Sequence, residues 1–152
     1  MTKSKQKSRH NRNTAEIADR VHSAAIHLLR RVRLEDSVSG EGPARLSALS
    51  VLVFGGAKTL GDLAAAEQVK PPTMTRIVAG LERTGLARRV VDASDSRRIR
   101  IHATAKGTRV LQNARKRRID ALASGFRRLS QVDLVAIDRA AQILNDLLKQ
   151  WD

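Results

Sequence analysis

Threonine and arginine side chains recur at helical spacing within one short stretch, and such side chains can hydrogen-bond to the edges of nucleic-acid bases. A threonine offers a hydroxyl and a methyl group, and an arginine reaches the O6 and N7 acceptors of guanine. The exposed side of a helix beginning at Pro71 would carry Pro72, Thr73, Thr75, Arg76, Ala79 and Arg83. Lys70, in the turn just before this helix, is predicted to meet a phosphate, which helix N-terminal amides also attract. The alternative for Arg76 and Arg83 is an ordinary solvated helix face.

The opposite side of the same helix is apolar, which predicts how the helix is oriented. At about 100° per residue, one side collects Met74, Ile77, Val78 and Leu81. These side chains are expected to pack against the two preceding helices, and Met74 is assigned to the core rather than to base contact. Pro71 suits the first helical position, and Gly85 after Thr84 suits the position just past the helix end.

A basic hairpin is predicted directly after this helix. Leu86 to Val91 and Arg98 to Ala103 form two short strands around a polar tip, Asp92 to Arg97. Five arginines crowd the hairpin: Arg88, Arg89, Arg97, Arg98 and Arg100. The arrangement is a helix, a turn, a second helix and a basic two-stranded wing, which is the layout of a winged helix-turn-helix.

The tip of the hairpin has the size to lie in the DNA minor groove. The narrow groove has the most negative potential, so Arg97 and Arg98 are predicted DNA contacts, with Arg97 as the groove probe. Asp95 is interpreted as structural, because an aspartate two residues before an arginine can orient a neighbouring basic side chain. The alternative is a merely solvated turn.

Caps and apolar spacing predict the remaining elements. The first helix is expected to open at Asn13, with Glu16 as its capping-box partner. Its apolar stripe consists of Ile17, Val21, Ala24, Leu28 and Val32. A turn-rich linker over residues 37–42 precedes a second helix from Pro43 to the stop at Gly55-Gly56.

Three hydroxyl residues mark the beginnings of the other helices. Thr59, with Asp62, caps the third helix; Thr104 caps a fifth helix that continues to about Leu129. Ser130, with Asp133, caps a sixth helix. We therefore predict a mainly α-helical fold of about six helices with a small β-hairpin wing.

The last helix carries the clearest apolar period in the chain. Its spacing of 3, 4, 3, 4, 3 joins Leu134, Ile137, Ala141, Leu144, Leu148 and Trp151. Two apolar positions per heptad are typical of a helix that pairs with another helix. The seam is therefore predicted to pack against a partner helix. The alternative is packing only within the chain, against the first and fifth helices.

Composition points to a polyanionic partner. The 152 residues contain 29 Lys and Arg against 15 Asp and Glu, a net charge of +14. Nucleic acid is the first candidate partner, and an anionic membrane surface is the second. Residues 1–13 are predicted to be a disordered basic arm, either solvated or in contact with DNA. There is no apolar run of membrane-spanning length and no signal-like segment, so a cytoplasmic protein is expected.

No catalytic constellation is found in the sequence. The chain has no cysteine, which excludes disulfides, thiol chemistry and cysteine-ligated zinc. The four histidines, His10, His22, His27 and His102, are dispersed. Gly55-Gly56 lacks the lysine of a phosphate-binding loop. We therefore expect no enzyme, no cofactor and no metal site.

Residues 59–107 resemble the MarR family of bacterial regulators. The family pattern L-x-x-L-A matches Leu60 to Ala64. The pattern T-R-x-V-x-x-L-E-x-x-G-L-V corresponds to Thr75 to Ala87, with alanine in place of the final valine. The wing pattern D-x-x-D-x-R matches Asp92 to Arg97, and Thr104 to Gly107 closes it. One departure is Ala103, where the family usually has leucine.

The resemblance implies a homodimer that binds a pseudo-palindromic operator, usually as a repressor. Its dimerisation region would comprise residues 14–36, where Ile17 and Val21 would join the seam of the last helix, and residues 104–152. Its DNA-binding domain would comprise residues 43–103. Many relatives release DNA when a small acidic or aromatic effector binds, but the absence of cysteine excludes thiol oxidation here. Arg30, Arg31 and Arg33 are candidates to hold an acidic effector, with solvated or phosphate-facing arginines as the favoured alternative.

Two functions agree best with this sequence, and RNA binding is a weaker third option, because the chain lacks the aromatic side chains on which single-stranded RNA usually stacks. The favoured one is a sequence-specific, double-stranded DNA-binding transcriptional regulator. The other is a sequence-tolerant architectural protein, which would use the basic arm and the basic side chains of the fifth helix. Those side chains are Lys106, Arg109, Arg115, Lys116, Arg117 and Arg118. Salt dependence and the ratio of specific to non-specific affinity separate the two.

Overall fold

The computed structural model describes residues 2–92, 95 and 97–151, and for residues 2–12 it describes the helical backbone alone. The described residues form six α-helices, one 3₁₀ helix and one hairpin, so the predicted fold class is confirmed. The helices are α1 (Thr2–Arg33), the 3₁₀ helix η1 (Leu34–Ser39), α2 (Pro43–Gly55), α3 (Leu60–Ala66), α4 (Pro71–Arg83), α5 (Ala105–Phe126) and α6 (Gln131–Leu148). The hairpin strands are β1 (Ala87–Val91) and β2 (Ile99–Ala103).

Hydroxyl caps begin three of these helices as predicted. The side-chain oxygen of Thr59 accepts the Asp62 N–H at 3.2 Å, and that of Thr104 accepts the Gly107 N–H at 3.0 Å. Ser130 accepts the Asp133 N–H at 3.2 Å. Each cap satisfies one amide that the first turn of a helix cannot pair internally.

The core lies between α2, α3, α4, the hairpin and the start of α5. Its largest fully buried side chains are Leu49, Leu63, Met74, Val78, Leu81, Leu86 and Ile101. Met74, Val78 and Leu81 come from one side of α4, which confirms the predicted orientation of that helix. The side of α4 opposite these residues is therefore left at the surface.

The wing is fixed to this core at its base. Strands β1 and β2 pair antiparallel from Ala87 opposite Ala103 to Val91 opposite Ile99. Lys58 exchanges two backbone hydrogen bonds with Ile101, at 3.2 and 2.8 Å, and so ties β2 to the segment before α3. Because its base is held on the body of the domain, the hairpin projects from a defined position beside α4.

Gly107 occupies a position where a side chain does not fit. An added Cβ would lie 2.1 Å from the Leu86 carbonyl oxygen and 3.1 Å from Leu49 Cδ1. We expect Gly107→Ala to lower the free energy of unfolding by about 3 kcal/mol, because the backbone of two packed elements must separate. Urea unfolding at a fixed protein concentration measures this change.

Gly125 provides the matched control on the same helix. No heavy atom lies within 4 Å of a Cβ built there. Gly125→Ala should therefore keep or raise stability, by up to about 1 kcal/mol, because alanine favours the helix. Equal effects of the two substitutions would contradict the close approach of α5 to Leu86.

Four boundaries differ from the predictions. The first helix begins at Thr2 rather than at the predicted cap, Asn13, and its helical backbone runs through the predicted basic arm. No glycine or proline interrupts residues 2–33, and lysine, arginine and glutamine favour helix, so the basic segment extends α1. Part of the predicted linker is the 3₁₀ helix η1, which Gly40 ends with a φ of 71°.

The other two differences are at the C-terminal helices. Helix α5 ends at Phe126 rather than about Leu129. Helix α6 ends at Leu148, so Trp151 lies beyond it and the predicted helical seam is wrong at that position. The Trp151 N–H reaches the Leu148 carbonyl at 3.2 Å, a tighter turn than an α-helix, which is common where a helix ends.

Apolar side chains remain exposed along α1 and α6. No residue of α6 is buried in the single chain, and Ile137, Leu144 and Leu148 are 39%, 38% and 53% exposed. On α1, Val32 is buried, whereas Ile17 and Val21 are 48% and 39% exposed. Helices of the same chain thus leave the seam uncovered. Within the described ranges, no helix combines the length and the apolar character needed to cross a membrane.

Candidate nucleic-acid interface

Helix α4 presents its polar side to solvent. The exposed residues are Pro72, Thr73, Thr75, Arg76, Ala79 and Arg83, which is the predicted set. Lys70 is the N-cap residue, but its side chain makes no capping hydrogen bond. Pro71 and Pro72 have no N–H group, and the Thr73 and Met74 N–H groups bond the Lys70 carbonyl at 2.9 and 3.2 Å, so the predicted attraction of phosphate by free N-terminal amides is wrong here. What attracts phosphate at this end of α4 is the helix dipole together with the exposed Lys70 ammonium group.

A tight turn sets the angle between α3 and α4. Gln68 has a φ of 52°, the left-handed region that is uncommon for residues other than glycine. The Val69 N–H pairs with the Ala64 carbonyl at 3.0 Å, and the Gln68 N–H pairs with the Ala65 carbonyl at 3.0 Å. These bonds close the turn, so α4 leaves it in a fixed direction relative to α3.

Arg76 and Arg83 are not neutralised by the protein. Among the residues that the structure describes, neither forms an ion pair with a carboxylate. Thr75 differs from Thr73, because its hydroxyl donates to the Pro71 carbonyl at 3.0 Å. Thr75 therefore has its methyl group and an acceptor lone pair to offer a base, whereas Thr73 keeps its donor for a contact.

Asp95 organises the described part of the wing tip. Its side chain accepts the Arg97 N–H at 3.0 Å, its carbonyl accepts the Arg98 N–H at 2.9 Å, and its other carboxylate oxygen lies 3.7 Å from Arg98 Nε. This geometry fits the predicted orienting role. The rest of the predicted tip, positions 93, 94 and 96, lies outside the described residues.

The wing arginines divide into two groups that sequence reasoning did not separate. Arg89 pairs with Glu82 at 3.5 Å, Arg98 pairs with Asp95, and Arg100 pairs with the Asp92 carboxylate. Arg88 and Arg97 have no ion pair within the described part of the chain. The acids Glu82 and Asp92 lie close in sequence to the hairpin arginines, and they are the sequence feature from which such pairing could be predicted. Within the described part of the tip, Arg97 thus has no carboxylate partner to hold it on the protein, as a groove-probing residue requires.

The exposed side of α4, the fixed turn before it and the basic wing beside it define a winged helix-turn-helix DNA-binding protein. The model of the MarR family matches residues 43–99 of the chain. An HTH-type transcriptional regulator of Mycobacterium tuberculosis is 30% identical over 136 residues, which cover 90% of this chain and 95% of the relative. The chain therefore belongs to the MarR family, as its sequence motifs predict, and is a DNA-binding transcriptional regulator.

Solved structures agree with this assignment. A MarR family protein from Bacillus stearothermophilus matches with a TM-score of 0.78 and 27% identity, covering 91% of this chain and 97% of that protein. A transcriptional regulator from Thermotoga maritima shares the fold, with a TM-score of 0.77, 22% identity and coverage of 90% and 96%.

Proposed function

We propose that this chain is a cytoplasmic, sequence-specific repressor, without enzymatic activity, that binds a pseudo-palindromic operator as a homodimer. Each subunit places α4 in a major groove, and the two helices lie about 34 Å apart, one turn of the duplex. The observation that carries the proposal is the exposed, unpaired Thr73 and Arg76 on a helix whose other side is buried. This exposed side of α4 is therefore accessible to the edges of DNA bases.

The uncovered apolar seam supports the dimer. We assign the contact to Ile17, Val21, Leu134, Ile137, Ala141, Leu144, Leu148 and Trp151. Leaving such a strip of leucine and isoleucine in water is unfavourable, whereas a second copy of the strip would cover it. A two-fold dimer also matches the symmetry of a pseudo-palindromic site.

The internal bonds of α5 disfavour the architectural alternative. Arg118 bonds the buried Asp36 carboxylate at 2.7 Å, and Arg117 bonds the Glu35 carbonyl at 3.3 Å. Lys106 and Lys116 bond the Thr84 carbonyl and the Asp120 carboxylate, at 2.8 and 2.7 Å. Four of the six basic side chains of α5 that would have to coat DNA therefore have a partner within the chain, and Arg109 and Arg115 remain.

A small acidic effector has more than one candidate place in the fold. A hollow of about 630 Å³ between α1 and α5 is lined by Arg31, Arg117 and Arg128, together with the acids Glu35 and Asp120. A hollow of about 210 Å³ lies between α1, α2 and α5, and Arg33, Asp36 and Arg118 contribute to its lining. Because Arg118 already pairs with Asp36, an effector carboxylate would have Arg33 as its cation. Arg31, another arginine predicted to hold an acidic effector, has its Nη1 3.6 Å from a carboxylate oxygen of Glu35.

The test of the proposal is a titration against two duplexes of equal length at two salt concentrations. One duplex is the DNA upstream of the protein's own gene, and the other is its scrambled sequence. A preference of about a thousandfold or more supports a sequence-specific regulator. If near-equal affinities fall together with salt, and tiled genomic fragments are bound equally as well, the architectural function replaces this proposal.

A further inference from the structure

A second basic feature lies against the flank of α4. A hollow of about 300 Å³ separates α4 from the beginning of α2, and its lining contains three arginines, Arg45, Arg76 and Arg83, and no acidic residue. Arg76 and Arg83 belong to α4, whereas Arg45 comes from α2, 31 positions earlier in the chain than Arg76. Arg76 and Arg83 have no carboxylate partner among the described residues, so the hollow carries a net positive charge even where Arg45 is paired, and an anion that entered it would offset this charge.

Arg45 is held in place from two sides. Its Nη1 lies 3.0 Å from a carboxylate oxygen of Glu41, whose side chain is 7% exposed, while the Arg45 side chain keeps 31% exposure. On the other side it packs on Gly80, where an added Cβ would lie 3.0 Å from Arg45 Cδ and 3.4 Å from its Nη1. The buried Glu41 carboxylate and the contact with Gly80, which has no side chain, together orient Arg45, and the Arg45 side chain still reaches solvent.

The start of α2 adds further attraction for an anion. Gly42 is its N-cap residue and supplies no side-chain cap, and Pro43 occupies the first turn. Gly42, Pro43 and Ala44 all contribute to the hollow, so the positive end of the α2 dipole faces it. The site thus combines an oriented guanidinium group with a helix N-terminus and the arginines of α4.

We propose that Arg45 binds a phosphate of the DNA backbone beside the groove that α4 enters. The inference rests on the proposed function, because it takes the duplex to lie along the exposed side of α4. Arg76 and Arg83 connect the hollow with that side, so a phosphate of the same duplex is the anion that can reach the solvent-exposed part of Arg45. Such a contact fixes the position of the protein on DNA and carries no base preference of its own.

The experiment compares Glu41→Gln with the double substitution Glu41→Gln/Arg45→Gln, so that neither protein contains an unpaired buried carboxylate. Circular dichroism checks that both are folded. Removal of Arg45 should weaken binding to upstream and scrambled duplexes alike, by about tenfold, and leave their ratio unchanged. The slope of log K against log salt should become shallower by about 0.9, the value for one lost phosphate contact.

Arg127→Gln is the matched control, since it removes the same charge from an exposed position just past α5. It should leave the salt slope unchanged. Gly80→Ala, which displaces Arg45 without removing it, should shift affinity in the same direction as the double substitution. Identical affinity and slope for Glu41→Gln and the double variant would overturn the proposal, and a changed ratio would make Arg45 a base-reading residue instead. If the wild type shows no operator preference, the slope on the scrambled duplex still tests Arg45.

Discussion

Leu144→Glu is expected to convert the protein into a monomer that has lost high-affinity operator binding. Leu144 lies at the middle of the α6 seam and is 38% exposed in the single chain, so a partner would bury it further. Burying a carboxylate without a partner is strongly unfavourable, and the dimer should dissociate at micromolar concentration. Without the linkage between two reading helices, affinity for the full operator should fall at least about a hundredfold.

Val135→Glu is the control for this prediction. Val135 is 61% exposed and lies on the opposite side of α6 from Leu144 when residues are placed at about 100° intervals. The Val135→Glu substitution introduces the same charge into the same helix and should leave the dimer and the operator affinity intact. Sedimentation equilibrium gives the oligomeric state, and the titration gives the affinity. A dimeric Leu144→Glu protein, or equal dissociation by both variants, would contradict the assigned seam.

The predictions that held are those that depend on local rules. A cap needs a hydroxyl residue and an amide three positions away, and Thr59, Thr104 and Ser130 supply these within a single turn. The orientation of α4 depends on the period of Met74 and Leu81, which any amphipathic helix would express. Such features are encoded by neighbours in sequence, so no knowledge of the tertiary fold is required.

The features that the sequence did not reveal depend on contacts between distant residues. The Asp36 carboxylate bonds Arg118, which is 82 positions later in the chain. Arg45 contacts Gly80 only because α2 packs on α4. A glycine inside a helix is unfavourable by about 1 kcal/mol relative to alanine, which signals a packing role without naming the partner. The start of α1 differs from its predicted position for another reason: lysine and arginine favour helix, so a basic segment without glycine or proline can extend a helix beyond a candidate cap.

The division of wing arginines shows why composition alone overstates a DNA-binding surface. The sequence offers five arginines in the hairpin region, and three of them pair with acids of the chain. An ion pair on the surface adds little to the stability of the protein, because solvent screens the attraction, but it restrains the geometry of the arginine. The arginines that remain unpaired, Arg88 and Arg97, are therefore better candidates for phosphate and groove contacts than their neighbours.

Arg76→Ala is expected to reduce the preference for the operator over scrambled DNA by about 1–3 kcal/mol, or roughly 5- to 150-fold. Arg76 is exposed, and alanine is a good helix former, so α4 should keep its structure and lose one base-edge contact. Lys70→Ala is the matched loss of one positive charge from the same end of the helix. Because Lys70 makes no capping hydrogen bond, its removal should not disturb α4.

The two variants separate base reading from phosphate binding on one helix. Lys70→Ala should weaken binding to both duplexes alike and make the slope of log K against log salt shallower by about 0.9. Arg76→Ala should act mainly on the operator, because a base contact exists only where the matching base is present. An unchanged ratio for Arg76→Ala would mean that its guanidinium contacts phosphate. The reading face of α4 would then shift toward Thr73, whose hydroxyl remains available to a base, and Thr73→Ala would have to lower the ratio.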